Sequence, residues 1–281
     1  MKIDSDALSV FAPDLFAGKT ALVTGGGRGI GKRIALAFAR LGAQVVIAGR
    51  NAETLVSTSG EISDIGARCL ALTVNIREVE QVEDLVSKAL SEFGGIDFLV
   101  NNAGGQFPAR PSEITDGGWR AVVDLNLNGT WNVCSRVGPF MASNGYGSIV
   151  NIVHVYALER GAPPFAHSGA ARAGLVNLTK SLAYHYAHNK VRVNALAPGF
   201  VATTGLREHE FKPLQREDFE STALTDVPAG RFAEPDEVAA ITLFLCSPAA
   251  AYITGTTIVA DGALSLGNWT PWMDPEPSRN I

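Results

Sequence analysis

Five glycines fall within the eight residues Thr24-Gly25-Gly26-Gly27-Arg28-Gly29-Ile30-Gly31, between the apolar run Ala21-Leu22-Val23 and a helical pattern over Lys32–Leu41. Glycines at 25, 29 and 31 let a chain turn sharply and approach a ligand closely. The first N–H groups of the following helix point at the same place and favour an anion. These residue types fit a pyrophosphate cradle; an ordinary strand-to-helix turn is the alternative, and a place at the head of a β/α repeat favours the cradle. A second pointer lies where the run Gln44–Ala48 ends, at Gly49-Arg50-Asn51. An acid there would hold a ribose 2′-hydroxyl, whereas arginine suits a 2′-phosphate. Arg50, with Arg28 in the glycine loop, therefore reads as NADP(H) over NAD(H), unless both are merely solvated. The third is Asn101-Asn102-Ala103-Gly104, whose amides can brace a turn while the glycine admits a flat ligand.

A repeating β/α pattern must position these groups. After the second strand, Asn51–Ile65 has helical spacing, Cys69–Val74 reads as a third strand, Val79–Phe93 as an amphipathic helix and Ile96–Val100 as a fourth strand. Asn75 and Ile76 then fall at the carboxyl edge of the sheet, where open α/β folds bind ligands. Gly147–Ile152 is a fifth strand, Asp236–Cys246 a helix opened by Pro235, and Thr256–Ala260 the last strand. The 281 residues, 46% hydrophobic, fit one α/β domain with a sizeable core. The formal charge of −5 comes without any block of like charge, which argues against nucleic acid or a membrane surface as partner and for a small molecule. Cys69, Cys134 and Cys246 are widely spaced and odd in number, so core packing in a reducing cytoplasm suits them better than disulfides or zinc. His185 and His188 lie three apart with no further ligand in view, so no metal is expected. The start of the chain lacks the pattern of a signal peptide, and no apolar run approaches the roughly 20 residues of a membrane span.

The glycine loop and Asn101–Gly104, together with Asp124-Leu125-Asn126-Leu127 and Pro198-Gly199-Phe200-Val201-Ala202-Thr203, resemble the motifs of the short-chain dehydrogenase/reductase family over nearly the whole chain. The resemblance implies a single doubly wound Rossmann domain with a parallel seven-stranded sheet, and a homotetramer or homodimer. It implies that Asn126 holds a water and a helix bend. It also places Gly25, Arg28, Gly29, Ile30, Gly31, Arg50, Asn51, Asn75 and Ile76 at the cofactor, with Asn102, Ala103, Gly104, Pro198, Gly199, Val201 and Thr203.

One departure bears on the chemistry. In that family a serine follows the fifth strand and a Tyr-x-x-x-Lys pair stands on the next helix. Here that helix reads Ser168-Gly169-Ala170-Ala171-Arg172, and His154-Val155 occupies the serine's place. A serine hydroxyl is a far weaker acid than a phenol, and arginine keeps the charge, and can hold the nicotinamide ribose, but cannot relay a proton. Tyr156, in the loop after the fifth strand, is the remaining candidate donor. With arginine in place of a lysine as the one departure, Tyr156, Ser168, Arg172 and Asn126 together resemble the site of mitochondrial-type 2,4-dienoyl-CoA reductases. The segments His167–Gly174, Asn177–Leu182 and Phe11–Gly18 resemble peroxisomal trans-2-enoyl-CoA reductases. Both groups reduce C=C bonds of acyl-CoA thioesters, so the implied partner is an acyl-CoA or acyl-carrier-protein thioester. A 3-oxoacyl or hydroxysteroid-type carbonyl oxidoreductase and an NADP(H)-binding pseudoenzyme are the alternatives. Tyr156 could instead pack its ring, and Ser168 could cap the helix. His154 and His167 are candidate substrate contacts or turn histidines. Residues 202–231 are expected to form a substrate lid, and Trp269, Pro271, Trp272 and Met273 a subunit contact or pocket wall.

Overall fold

The structure is a computed structural model that describes residues 7–207 and 223–267. Strands β1 (Thr20–Thr24), β2 (Gln44–Gly49), β3 (Cys69–Thr73), β4 (Phe98–Asn101), β5 (Gly147–Ile152), β6 (Val191–Pro198) and β7 (Thr257–Ala260) form one sheet in the order β3-β2-β1-β4-β5-β6-β7. Every neighbouring pair is parallel. Parallel neighbours need crossovers, and helices α1 (Gly29–Arg40), α2 (Ala52–Asp64), α3 (Val79–Phe93), α4 (Asp116–Val123), α5 (Gly129–Asn144) and α6 (Ala166–Tyr186) supply five of them, with α7 (Pro235–Cys246) before β7. Strands covered on both faces read as continuous apolar runs, and every residue of β1, β4 and β5 is buried.

The chain winds outward from β1 to β3 and returns to place β4 on the other side of β1. That reversal opens a crevice above the carboxyl ends of β1 and β4, the place where doubly wound sheets take ligands. One face of the sheet is covered by α1 and α7 around Phe38 and Leu243, and the other by α3, α5 and α6 around Leu85, Val133 and Leu182. The stretch before β1 joins the first core: Phe16 is 2% exposed, with its ring 4.9 Å from that of Phe98 and 5.2 Å from that of Phe38. Of the expected lid, residues 208–222 lie outside the described residues, as do Trp269, Pro271, Trp272 and Met273. Helix α1 starts three residues ahead of its apolar pattern, because it grows directly from the turn at Gly29 without a capping side chain.

Just below the carboxyl edge a buried polar chain stitches three elements. Asn101 Nδ2 donates to Asn151 Oδ1 (2.8 Å), Asn151 Nδ2 to Thr179 Oγ1 (2.9 Å), and Thr179 Oγ1 to the Leu175 carbonyl (2.8 Å). This fixes β4, β5 and α6 relative to one another immediately beneath the site. Leaving a buried donor unpaired costs about 1–3 kcal/mol. Asn151→Ala should therefore lower the unfolding free energy by about 2 kcal/mol or more in urea denaturation, and an unchanged midpoint would contradict a supporting role for the chain.

Candidate active site

The glycine loop is held from below by β4. Asn102 Nδ2 donates to the carbonyls of Thr24 (3.1 Å) and Gly25 (3.3 Å), while Thr24 Oγ1 accepts from the N–H groups of Asn102 and Ala103 (both 3.1 Å). Gly25 and Gly29 have φ of +68° and +55°, a region that disfavours side chains. A Cβ on Gly25 would lie 2.7 Å from Asn102 Nδ2. A Cβ on Gly31 would likewise collide with Asn102, and with the Gly25 carbonyl, so this glycine serves to seat α1 against the turn.

Above the loop lies a cleft of about 790 Å³. Gly25, Arg28, Gly29, Ile30, Arg50 and Asn51 line it, together with Asn75, Ile76, Asn102, Ala103, Gly104 and Thr203. Its walls also include Thr54, Leu55, Val74, Leu125, Thr204 and Gly205, which sequence reasoning missed. For Thr54 a signal existed: Asn51 Oδ1 accepts from Thr54 N (2.9 Å) as a helix cap, so Asn51-x-x-Thr54 marks where α2 closes on the loop. Arg28 and Arg50 are both exposed, and no Asp or Glu is among the lining residues. The cradle without side chains, the helix N-terminus and the two cations fit a dinucleotide.

Gly31, Arg172, Pro198, Gly199 and Val201 do not line this cleft. Pro198 and Val201 are buried, Val201 bridges to Ala233, and Gly199 packs where a Cβ would lie 2.9 Å from Asp261. They set the course of the chain from β6 to Thr203, which caps the next turn by accepting from Leu206 N (3.2 Å). Arg172 stands one layer behind. Its Nη1 donates to the Val153 carbonyl (2.9 Å), and a Cβ on Gly104 would lie 2.9 Å from its Nη2 and 2.7 Å from Asn126 Oδ1. Asn126 sits in a π-helical turn, Asp124–Asn128, inserted between α4 and α5. Its Nδ2 donates to the carbonyls of Val122 and Gly105 (both 2.8 Å), so the bend in the helix and the strand-end loop share one amide.

Beyond β5, a single 3-10 turn (Val155–Ala157) carries Tyr156. Its ring stacks on His154 at 4.5 Å and meets Phe200 edge-on at 6.5 Å, and its N–H donates to His154 Nδ1 (3.2 Å). The turn lies against α6, with the Tyr156 carbonyl 3.2 Å from where a Cβ on Gly169 would be. Ser168 is the third residue of α6 rather than its cap; it is buried, and its Oγ has no partner among the described residues. His167 is buried beside it, with the Phe107 ring edge-on at 4.5 Å. Arg172, Asn126, Ser168 and the Tyr156 turn thus gather around the end of β5, whereas His154 supports Tyr156 from beneath.

Residues 25–265 match the family model described as enoyl-(acyl carrier protein) reductase, and the chain belongs to the short-chain dehydrogenase/reductase family of oxidoreductases. It is 37% identical over 247 residues to the 3-oxoacyl-[acyl-carrier-protein] reductase FabG of Thermotoga maritima, covering 88% of this chain and 98% of that one. It is 38% identical over 257 residues to the (3E)-enoyl-CoA-producing peroxisomal 2,4-dienoyl-CoA reductase of Pongo abelii, covering 90% and 86%. The solved structure of the citronellol catabolism dehydrogenase AtuB of Pseudomonas aeruginosa PAO1 superimposes with a TM-score of 0.79 at 41% identity, covering 91% and 98%. The fold of this family implies a nicotinamide cofactor.

Burial first, and Arg172 second, push the His154 imidazole down to about 3, against an opposing pull from Asp261. The folded chain then binds fewer protons at this ring than the unfolded chain, whose value is 6.5. The stability this contributes is present above that pH and is lost as pH falls toward 3. Urea denaturation should show wild type losing stability between pH 7.5 and 5 and His154→Gln losing less; equal losses would contradict the assignment.

Proposed function

We propose that the protein is an NADPH-dependent reductase of the C=C bond of an α,β-unsaturated acyl thioester. The observation that carries this reading is a fixed cation at the end of β5, Arg172, beside a buried Ser168 hydroxyl and a tyrosine turn, with serine and arginine at positions 168 and 172 of α6 in place of a phenol–ammonium pair. NADPH, when bound, supplies the hydride. Arg28 and Arg50 would hold its 2′-phosphate, with Thr54 and Asn51 at the same end of the cleft. Among the described residues that line the cleft there is no carboxylate, the usual partner of the bare ribose hydroxyl.

Reduction of a conjugated C=C gathers negative charge on the thioester oxygen, and hydrogen-bond donors aimed at that oxygen lower the barrier. Tyr156 and Ser168 would donate there. Arg172 adds a positive potential at the same strand end. Asn126 holds the Gly105 loop and the helix bend in place, so the site keeps its shape. A ketone would ask more of the site. It forms an alkoxide that needs a proton from a good acid, and α6 offers a serine where a phenol would stand. That favours the dienoyl-CoA reductase relative as a guide to chemistry over the FabG relative.

Charge-assisted hydrogen bonds contribute about 1.5–3 kcal/mol each. Arg50→Ala should weaken NADPH binding by about tenfold or more in a fluorescence titration and leave NADH nearly unchanged. Equal affinity of wild type for the two nucleotides would contradict the cofactor choice. On an enoyl- or dienoyl-CoA, Tyr156→Phe should lower kcat by about a hundredfold, the scale of losing one positioned donor, with NADPH affinity unmoved. Ser168→Ala should cost less if Tyr156 leads. If both variants turned over at the wild-type rate, neither hydroxyl would serve the reaction.

A further inference from the structure

His167 is fully buried, yet its Nε2 has no hydrogen-bond partner among the described residues. Its Nδ1 accepts from the N–H of Ser168 (3.0 Å), and that contact assigns the ring proton of the neutral imidazole to Nε2, with the Phe165 backbone as the other group that bears on the ring. The molecule therefore holds an unsatisfied N–H donor one residue away from the unsatisfied Ser168 hydroxyl, on the first turn of α6. Buried donors are paired almost without exception, so two neighbouring orphans mark a place where something else supplies the acceptor.

What covers His167 is a partly exposed ring. The Phe107 ring lies edge-on to the imidazole, 85° between planes, and is itself 38% exposed. Phe107 belongs to the loop between β4 and α4, and its far edge rests on Gly118, where a Cβ would lie 2.9 Å from Cζ. The same loop hangs on the segment before α6 through the bond from Ala109 N to the Pro164 carbonyl (3.0 Å). Two loops thus meet over the first turn of α6, with an aromatic side chain as the plug.

We propose that His167 binds the substrate: with Phe107 swung aside, its Nε2 donates to the carbonyl oxygen of the acyl thioester, next to Ser168. This rests on the thioester reading above. The ligand chemistry follows from the surroundings. Burial pushes the imidazole below its usual range, so the group is a neutral donor, and Phe107 beside it is apolar. An uncharged acceptor oxygen flanked by an alkyl chain suits such a pocket, and a phosphate or carboxylate does not. An enolate oxygen has room for more than one donor, so His167 and Ser168 act together.

The test is calorimetric titration of the full chain, saturated with NADP+, with butyryl-CoA and with its thioether S-butyl-CoA, which lacks the carbonyl. Both ligands are saturated and oxidation of butyryl-CoA by NADP+ is strongly uphill, so binding is read apart from turnover. His167→Leu should bind butyryl-CoA at least tenfold more weakly than wild type and S-butyl-CoA equally well, while His167→Gln, which keeps an N–H donor, should recover much of the loss. Unchanged binding of butyryl-CoA by His167→Leu, or equal losses for both ligands, would overturn the role of His167 and leave the thioester reading intact. Wild type failing to bind butyryl-CoA would overturn both. Phe107→Ala should expose His167 to diethyl pyrocarbonate, read by peptide mapping, and continued protection would overturn Phe107 as the cover.

Discussion

Between Gly104, Asn126 and Arg172 there is no room for a methyl group. A Cβ at position 104 would sit 2.7 Å from one side chain and 2.9 Å from the other, both well inside contact distance. This crowding is what allows three separate elements to converge: the end of β4, the π turn between α4 and α5, and the second turn of α6. Each makes its own polar connection at the same level. Asn126 binds the loop after Gly104, Arg172 binds the carbonyl end of β5, and Asn101 reaches Asn151 just below. The floor of the site is therefore rigid, and the groups that vary its chemistry stand on it.

On one side of that floor the cleft at the strand-order reversal is shaped for a dinucleotide. Asn102 ties the glycine loop to β4, so the turn that approaches the phosphates and the wall that approaches the far end of the ligand are one unit. On the other side, the chain beyond β5 and the start of α6 bring Tyr156, Ser168 and His167 together. Among the described residues two buried polar atoms without a hydrogen-bond partner, Ser168 Oγ and His167 Nε2, fall on this side and another, Asn101 Oδ1, lies in the floor, while the hydroxyl of Thr24 and the amide of Asn102 are bonded. Polar groups on the cofactor side build the scaffold; those at the start of α6 carry the contacts proposed for the substrate.

The strands and most helices were legible in the sequence because fully covered parallel strands are unbroken apolar runs and α3 is amphipathic over its whole observed length, Val79–Phe93. The glycine loop and Asn101–Gly104 were legible because few structures other than a tight ligand approach require those residues in that order. What was not legible depended on tertiary closure. Gly31, Pro198, Gly199 and Val201 belong to the same motifs as true lining residues, yet pack behind them, since a motif does not say which way a residue faces. For Arg172 the sequence did not show that its Nη1 would bond the backbone carbonyls of Ile152 and Val153 at the end of β5. The π turn at Asp124–Asn128 adds a residue to a helix without any mark in the apolar pattern, and Thr54, Leu125 and Gly205 line the cleft only because distant segments fold over it.

The central claim is that this floor, with Ser168 where a phenol would stand, favours reduction of a conjugated C=C over reduction of a ketone. A competition tests it directly. The protein is given NADPH and equimolar crotonyl-CoA and acetoacetyl-CoA, and the products are resolved by mass spectrometry. The account predicts butyryl-CoA as the dominant product, with little 3-hydroxybutyryl-CoA. Predominant 3-hydroxybutyryl-CoA would contradict it.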